Sequence, residues 1–505
     1  VRHGLAIRES ASVVGFSTVR ILYIDIDTLR ADHLGCYGYA RATSPNLDRL
    51  AAECVRFERC YASDVPCLPS RSALFSGRFG TRNGVVGHGG TAAEPFIQGS
   101  SRGFFSALGR SAWPALLRKQ GLRTASISSF VARHSAHHFC AGLDELISPG
   151  KLGLENADEV CALASDWLER NAQRNAWFLH VHLWDPHTPY RAPASYGEPF
   201  ASQPMPDWLT NEIRARDFAG CGPHSAQEAV GFSTDYPYGE YPRQPRQIDS
   251  MQAVRRMFDG YDTGVRFADE QIGRLLQTLE QQGTLADTAL LVSADHGETL
   301  GELNVYGDHH TADEHTAHVP CLLRWPGLSA QTFRGLCYQV DVAATVVELA
   351  GGSVPSDWDG RSLASALRER SATGRSELVI TQGAWTCQRG VRWDDYLAIH
   401  TLHDGYHAYD EWMLFDVVRD PHEQRDLAID RPEVVRSAEQ RLAAWHADVM
   451  QRSATGVDPL QTVLAEGGPS HTRGKLPAYL ERLRATGRAH WAERLARIHA
   501  QELVP

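Results

Sequence analysis

Residues 20–27 read Arg-Ile-Leu-Tyr-Ile-Asp-Ile-Asp, a short branched apolar run that closes on two carboxylates, Asp25 and Asp27. The run predicts a buried strand, and its two acids, spaced two apart, share one face of it. Working outward, Ser44 precedes Pro45, a capping residue and a first-turn proline that start a helix there. Helices are expected over 113–120, Ala157–Asn171 and 251–282, and strands over 123–128, Trp177–Leu183, 289–293 and 319–325. This alternation predicts an α/β domain on a large, mostly parallel central sheet flanked by helices. Residues 190–250 are rich in Pro, Gly, Ser and Tyr and read as a long insertion, in which Trp208, Tyr236, Tyr238 and Tyr241 could wall a pocket. Near 370 the texture changes to strand-like runs and turn signals without helices between them, which predicts a small antiparallel sheet. A helix over 432–450 and a basic helix over 477–503 follow. The expected domains are therefore 1–370, 371–450 for the sheet and its helix, and 451–505 for a helical extension. That extension could dock on its own domain or on a second copy of the chain.

The chain has 505 residues, which suits one large domain and a smaller one. Apolar residues at 43% and charged residues at 22% are ordinary globular usage and exclude wholesale disorder. No apolar stretch approaches the roughly 18 residues that a membrane span needs. With 50 basic against 61 acidic residues, the net charge of -11 argues against nucleic acid as a partner. A small anionic substrate stays compatible, because a few arginines and a metal can make one pocket positive. The ten cysteines include no C-x-x-C pair, so most are expected to be reduced and buried. The stretch before residue 20 holds no apolar core of the length a secretory leader has, and both features point to the cytoplasm.

In an open α/β sheet, ligands gather beyond the carboxyl ends of the strands. Three such ends are polar here: Asp25 and Asp27, then His-Leu-Trp-Asp-Pro-His at 182–187, then Ser-Ala-Asp-His-Gly-Glu at 293–298. Carboxylates and imidazoles at separate strand ends are what a divalent cation needs, although each alone reads equally well as a cap or turn. Between them stands Cys67-Leu68-Pro69-Ser70-Arg71, followed by a stretch that reads as the first turn of a surface helix. Its backbone N–H groups and positive end would point at an anion. Chance gives those four fixed positions roughly once in several hundred chains of this length.

The pentapeptide matches the C-x-P-S-R signature of the sulfatases, with SPNLDRLA upstream and SALFSGR directly after it. The resemblance continues through DTLRADHLGCYG, GLRTA, DPHTPY, the DHGE segment, HVPCLLRWPG and LFDVVRDPHEQRDLA. It implies an alkaline phosphatase-like α/β sandwich with a small C-terminal antiparallel sheet subdomain, and hydrolysis of a sulfate ester. It also implies that Cys67 is oxidised to formylglycine by a formylglycine-generating enzyme. One divalent metal, calcium or manganese with magnesium and zinc as alternatives, would be held by Asp27, Asp295, His296 and the converted Cys67. Arg71 would hydrogen-bond the formylglycine hydrate, Asp295 would orient or deprotonate the attacking hydroxyl, and His187 would meet the anionic group or leaving oxygen. Asn83, His88 and His310 are assigned to substrate contact.

The chain also departs from that pattern. Thr28 stands where a second adjacent aspartate is usual, and Asp25 reads as a buried, paired carboxylate rather than a ligand. His296 replaces the asparagine of the calcium sulfatases, a softer donor that opens the site to manganese or zinc. Ser128-Ser129-Phe130-Val131 stands where Gly-Lys-Trp-His is usual, so a lysine and a histidine are missing, and His88, His134 or His137 could substitute. The later lysine is replaced by a run containing Asp308, His309 and His310, with His309 or His310 as the leaving-group acid. These substitutions also occur in relatives that cleave phosphonate monoesters and phosphodiesters, which keeps that activity as the alternative. A degenerate binding protein is a third reading, set against the survival of the nucleophile, arginine and metal positions.

Overall fold

In the computed structural model, which describes residues 19–97, 107–233, 237 and 239–503, the opening stretch becomes β1 (Arg20–Ile26), an inner strand of an eight-stranded sheet. The other strands, in chain order, are β2 (Val55–Tyr61), β3 (Asp64–Val65), β4 (Arg123–Ile127), β5 (Glu145–Ile147), β6 (Trp177–Leu183), β7 (Thr288–Ser293), β8 (Thr299–Leu300) and β9 (Tyr306–Asp308). β10 (His318–Arg324), β11 (Gln331–Tyr338), β12 (Glu377–Gln382), β13 (Cys387–Trp393), β14 (Tyr396–His403) and β15 (Trp412–Asp416) complete the set. The large sheet runs β11-β2-β10-β7-β1-β6-β4-β5. Only β10 is antiparallel to its neighbours, β2 and β7, so the sheet is mostly parallel, as expected. β6 and β7 are buried along their whole length, as strands covered on both faces are. The long helices Ala157–Asn171 and Met251–Gln281 pack on each other, and Trp113, Trp167 and Trp177 fill the core beneath.

Register decides what this sheet can do. β1 lies between β6 and β7, with Asp25 opposite His182 on one side and Ser293 on the other. The carboxyl ends of three strands thus come together, carrying Asp27, the segment after Leu183 and Asp295.

Several local expectations are corrected. The helix α1 (Pro45–Ala51) does begin after Ser44, but Ser44 does not cap it; its hydroxyl bonds Asp48 and the Gly35 N–H instead. The small sheet, ordered β15-β14-β13-β12-β3, is not confined to the chain after residue 370. Its fifth strand is Asp64–Val65, too short to register as a strand in sequence and only one residue before Cys67. The insertion carries a helix, Asn211–Phe218, and buries Leu209, Cys221, Ala226 and Ile248. Trp208 stacks on His422 at 4.2 Å, while Tyr236 and Tyr238 lie outside the described residues, as does the stretch 1–18 on which the leader expectation rested. None of the ten cysteines is paired. No helix among the described residues is long and apolar enough to cross a membrane.

The basic helix expected over 477–503 is two helices, Leu476–Ala485 and Ala489–Ile498. The break falls at Gly487, whose φ of 76° is left-handed and favours glycine. The hairpin packs on its own chain through Leu480, Leu483 and Leu495 against Cys221 and Tyr406, and Arg488 pairs with Glu228 of the insertion. Its end is pinned by His499, whose Nε2 lies 2.7 Å from Asp404 and whose Nδ1 lies 2.7 Å from Glu502. Burial alone would lower that imidazole, but the two carboxylates outweigh it and push it up to about 9. A histidine raised above its ordinary value of about 6.5 contributes fully below that pH and loses its contribution as pH rises through the folded value. We therefore expect His499→Gln to lower amide-exchange protection of Ala489–Ile498 at pH 7, with the gap to wild type closing by about pH 10. An unchanged gap at high pH would mean that packing alone holds the hairpin.

Candidate active site

The helix α2 (Cys67–Ser76) starts at Cys67 itself, directly after Pro66, and ends at Gly77, whose φ is 68°. Trp358 packs where a Cβ on Gly77 would sit. Contrary to the surface helix expected, every residue of α2 is buried. Two of its polar residues, Ser70 and Arg71, mark contacts with the site rather than an exposed face. Ser70 donates to the Asp295 carbonyl at 2.6 Å. Arg71 reaches three carboxylates: Nε to Asp25 at 2.7 Å, and Nη1 to Asp27 at 3.0 Å and to Asp295 at 2.7 Å. Its guanidinium lies over the Phe130 ring at 4.7 Å, and its Nη2 is buried without a hydrogen-bond partner. Phe130 thus uses the segment that lacks lysine to cover the arginine.

Asp27, Cys67, Asp295 and His296 bring one donor atom each within 4.8 Å of one another. His296 Nδ1 lies 2.7 Å from the Gly297 carbonyl and donates to it, which leaves Nε2 with a lone pair, 3.1 Å from Cys67 Sγ and 3.2 Å from Asp295. Burial pushes His296 down to about 4, so it is a neutral imidazole, as a ligand must be. Burial, with Asp27 and Asp25 nearby, pushes the Asp295 carboxyl up. At Asp27, by contrast, Arg71 outweighs burial and holds the carboxyl down. One guanidinium does not compensate three buried carboxylates, and Asp27 Oδ1 has no hydrogen-bond partner. This donor set fits a divalent cation. Asp25 is placed differently, between Arg71 and His180, and does not belong to the four-donor group.

Two buried histidines behind the carboxylates were not singled out as functional from the sequence. His180 links Ser126 at 2.9 Å to Asp25 at 3.3 Å, and His182 links Ser128 at 2.9 Å to Asp27 at 3.3 Å. The signal is the matching alternation of β4, β6 and β1, and it becomes readable only with the register known. Glu298, which closes the 293–298 segment and was given no role of its own, is buried, and neither carboxylate oxygen has a hydrogen-bond partner.

Of the residues expected at the site, Cys67, His187 and His309 come together, again with donor atoms within 4.8 Å. His187 is half-buried, and His309 is buried with its ring 4.3 Å from that of His296. Burial lowers both imidazoles, to about 4 and about 3. His310 turns away from this group: its Nδ1 meets His407 at 3.0 Å and its ring stacks on Trp385 at 4.0 Å. His88 stands at the first turn of α2, where the Leu68 N–H donates to its Nε2 at 3.4 Å, so that amide is not free to face an anion. His134 is beside His88, with ring centroids 5.2 Å apart, whereas His137 is exposed. Asn83 is a correction. Its amide donates to Ser76 and the Arg78 carbonyl, and its oxygen accepts from the Val85 N–H, so its polar atoms hold the local loop rather than a substrate.

A family model described as Sulfatase matches residues 20–353, and one described as N-sulphoglucosamine sulphohydrolase, C-terminal, matches residues 301–447. An N-acetylglucosamine-6-O-sulfatase of Bacteroides thetaiotaomicron is 24% identical, covering 88% of this chain and 89% of its own. A choline-sulfatase of Rhizobium meliloti is 26% identical over 80% of this chain and 82% of its own. Among solved structures, one in complex with its substrate D-glucosamine-2-N,6-O-disulfate superposes with a TM-score of 0.68 at 21% identity, covering 88% of this chain and 99% of that one. The phosphonate monoester hydrolase of Agrobacterium radiobacter superposes with a TM-score of 0.64 at 18% identity, covering 85% and 96%. The architecture is that of the alkaline phosphatase-like enzymes, and the chain belongs to the sulfatase family, hydrolases of sulfuric esters.

Proposed function

We propose that this hydrolase acts through residue 67 after oxidation of its cysteine to formylglycine, on a small anionic ester, with one divalent metal held by Asp27, Asp295, His296 and residue 67. The observation that carries this reading is the four-donor group around Cys67, with Sγ 3.1 Å from the bare Nε2 of His296. An aldehyde hydrate supplies one hydroxyl to attack sulfur and a second whose deprotonation later releases sulfate. A divalent metal bound by these residues would supply Lewis-acid charge for the anionic ester. The chain's own residues do the rest. Arg71 holds the three carboxylates in place and keeps Nη2 as the spare donor for a hydroxyl on residue 67. Asp295 orients that hydroxyl, and His187 and His309 lie beside residue 67, where a departing alkoxide needs a proton. Because α2 is buried throughout, a formylglycine-generating enzyme has to act before the fold closes over Cys67. Ten unpaired cysteines accord with a reducing compartment such as the cytoplasm.

The ligand His296 favours a second substrate class. An imidazole among the ligands suits manganese or zinc better than calcium, and a phosphonate monoester hydrolase is among the structures this fold resembles. A panel of aryl sulfate, sugar sulfates, phosphonate monoester and phosphodiester, each with calcium, manganese, magnesium and zinc, decides between the two. We expect sulfate to be turned over fastest.

Cys67→Ala should abolish hydrolysis while leaving the circular dichroism spectrum unchanged. Full activity of Cys67→Ser, made in a host that modifies only cysteine, would rule out the aldehyde mechanism. Activity removed by chelator should return with calcium, manganese or magnesium, and His296→Asn should shift the preference towards calcium. An active enzyme found metal-free by elemental analysis would end that part of the proposal.

Proton delivery gives a separate test. His187→Ala or His309→Ala should slow an unactivated sugar ester by about 10²- to 10⁴-fold, and a nitrophenyl ester far less. The dependence of rate on leaving-group pKa should steepen accordingly, with His310→Ala as the comparison. Equal slowing of both esters would assign these histidines to anion binding instead.

A further inference from the structure

β9 ends in Asp308, and the two histidines after it part company. His309 faces residue 67, while His310 enters a second group that the scheme above does not use. In that group His224, from the 190–250 insertion, joins Asp308 and His310, with one donor atom from each inside 4.8 Å of the others. His224 Nδ1 is 3.1 Å from Asp308 Oδ2, and His310 Nε2 is 3.4 Å from Asp308 Oδ1. Despite these distances, both imidazole nitrogens are buried without a hydrogen-bond partner. A buried polar atom left unsatisfied costs about 1–3 kcal/mol, and here two of them converge on one carboxylate.

The surroundings fix these rings rather than satisfy them. His310 meets His407 through Nδ1 at 3.0 Å and lies flat on Trp385 at 4.0 Å, which holds its Nε2 towards Asp308. His224 holds a left-handed backbone, φ 56°, and its carbonyl accepts from the Tyr306 N–H at 2.8 Å, which ties the insertion to β9. In the tautomers that leave His224 Nδ1 and His310 Nε2 bare, both lone pairs face the Asp308 carboxylate, and a positive charge between them would relieve that repulsion. No lysine or arginine supplies it: among the described residues none pairs with Asp308 or with Glu298, and Arg71 and Arg30 are spent on other carboxylates.

We propose that His224, Asp308 and His310 hold a second divalent cation, of the first-row transition class that two imidazoles and one carboxylate select. His224 is the half-buried member, which gives the ion a way in from solvent. Asp308 Oδ1 is also 3.5 Å from His309 Nε2, so the ion would stand one side chain from the proton donor proposed above. There it would place positive charge beside the leaving group, on the side where the chain has no lysine.

The test is metal stoichiometry with zinc ion alone as the probe. The purified protein is equilibrated with zinc chloride, freed of unbound ion and analysed for metal per chain, in parallel with calorimetric titration. Wild type should bind two equivalents. His224→Ala should bind one, with affinity for the other reduced at least 100-fold, and Asp295→Asn should also bind one. His224→Gln serves if the alanine variant fails to fold, as judged by thermal melting. A wild type that binds one equivalent, retained in His224→Ala and lost in Asp295→Asn, would overturn the second site and leave the first standing. One equivalent lost in His224→Ala and retained in Asp295→Asn would support this site and overturn the Asp27 site. Two equivalents that both survive His224→Ala or His224→Gln would overturn it as well.

Discussion

Arg71 is the joint on which the active region hangs. It lies one helical turn after Cys67, and its guanidinium is shared by carboxylates from β1 and from the end of β7. A buried arginine is tolerated only where its charge is met, and a buried carboxylate only where it is paired or bound to metal. The three acids therefore fix where α2 can sit, and α2 fixes residue 67. Removing one partner would leave an uncompensated charge in the core, which costs about 3–5 kcal/mol in comparable buried pairs. The fold is committed to this geometry whether or not substrate is present.

That commitment has an electrostatic consequence. Asp25, Asp27, Asp295, Glu298 and Asp308 are all buried in the region of residue 67, while Arg30 serves Asp32 and Glu302. Arg133 and Arg191 are turned onto the carbonyls of Leu152, Gly153 and Trp184. An anion approaching the side chains alone would meet an excess of negative charge. A metal held at the proposed site would thus be a condition for substrate binding as well as for chemistry.

The sequence showed what lies close in the chain and hid what depends on register. Residues 20–27 are apolar enough to be read as a buried strand, and Cys67–Arg71 carries its own spacing, so the sheet and the nucleophile's neighbourhood were legible. Arg71 and Ser70 are polar and would ordinarily face water; here they are buried by the site they bond. His180 and His182 are legible as a pair only once β6 is placed beside β1. Asp64–Val65 is shorter than any periodicity, and Gly487 sits inside a run whose helical pattern continues on both sides of it. Asn83, a polar residue near the motif, looked like a contact and is a turn.

The C-terminal segments pack against the proposed site rather than standing apart from it. Trp385, just past β12, lies between the rings of His310 at 4.0 Å and His471 at 4.4 Å, and His471 meets His88, which accepts from the first turn of α2. The half-buried members of this wall are His88, His187, His224, Trp385 and His471, an aromatic rim that carries no fixed charge. Burial lowers each of those imidazoles, so the rim stays neutral where a lysine would have been permanently cationic. A neutral imidazole can take a metal or accept a proton, whereas a lysine in the same place would be a fixed cation with no lone pair to offer a metal. With ions bound at the proposed sites, the positive charge would come from them rather than from side chains, and the choice of ion would then bear on which anionic esters are taken.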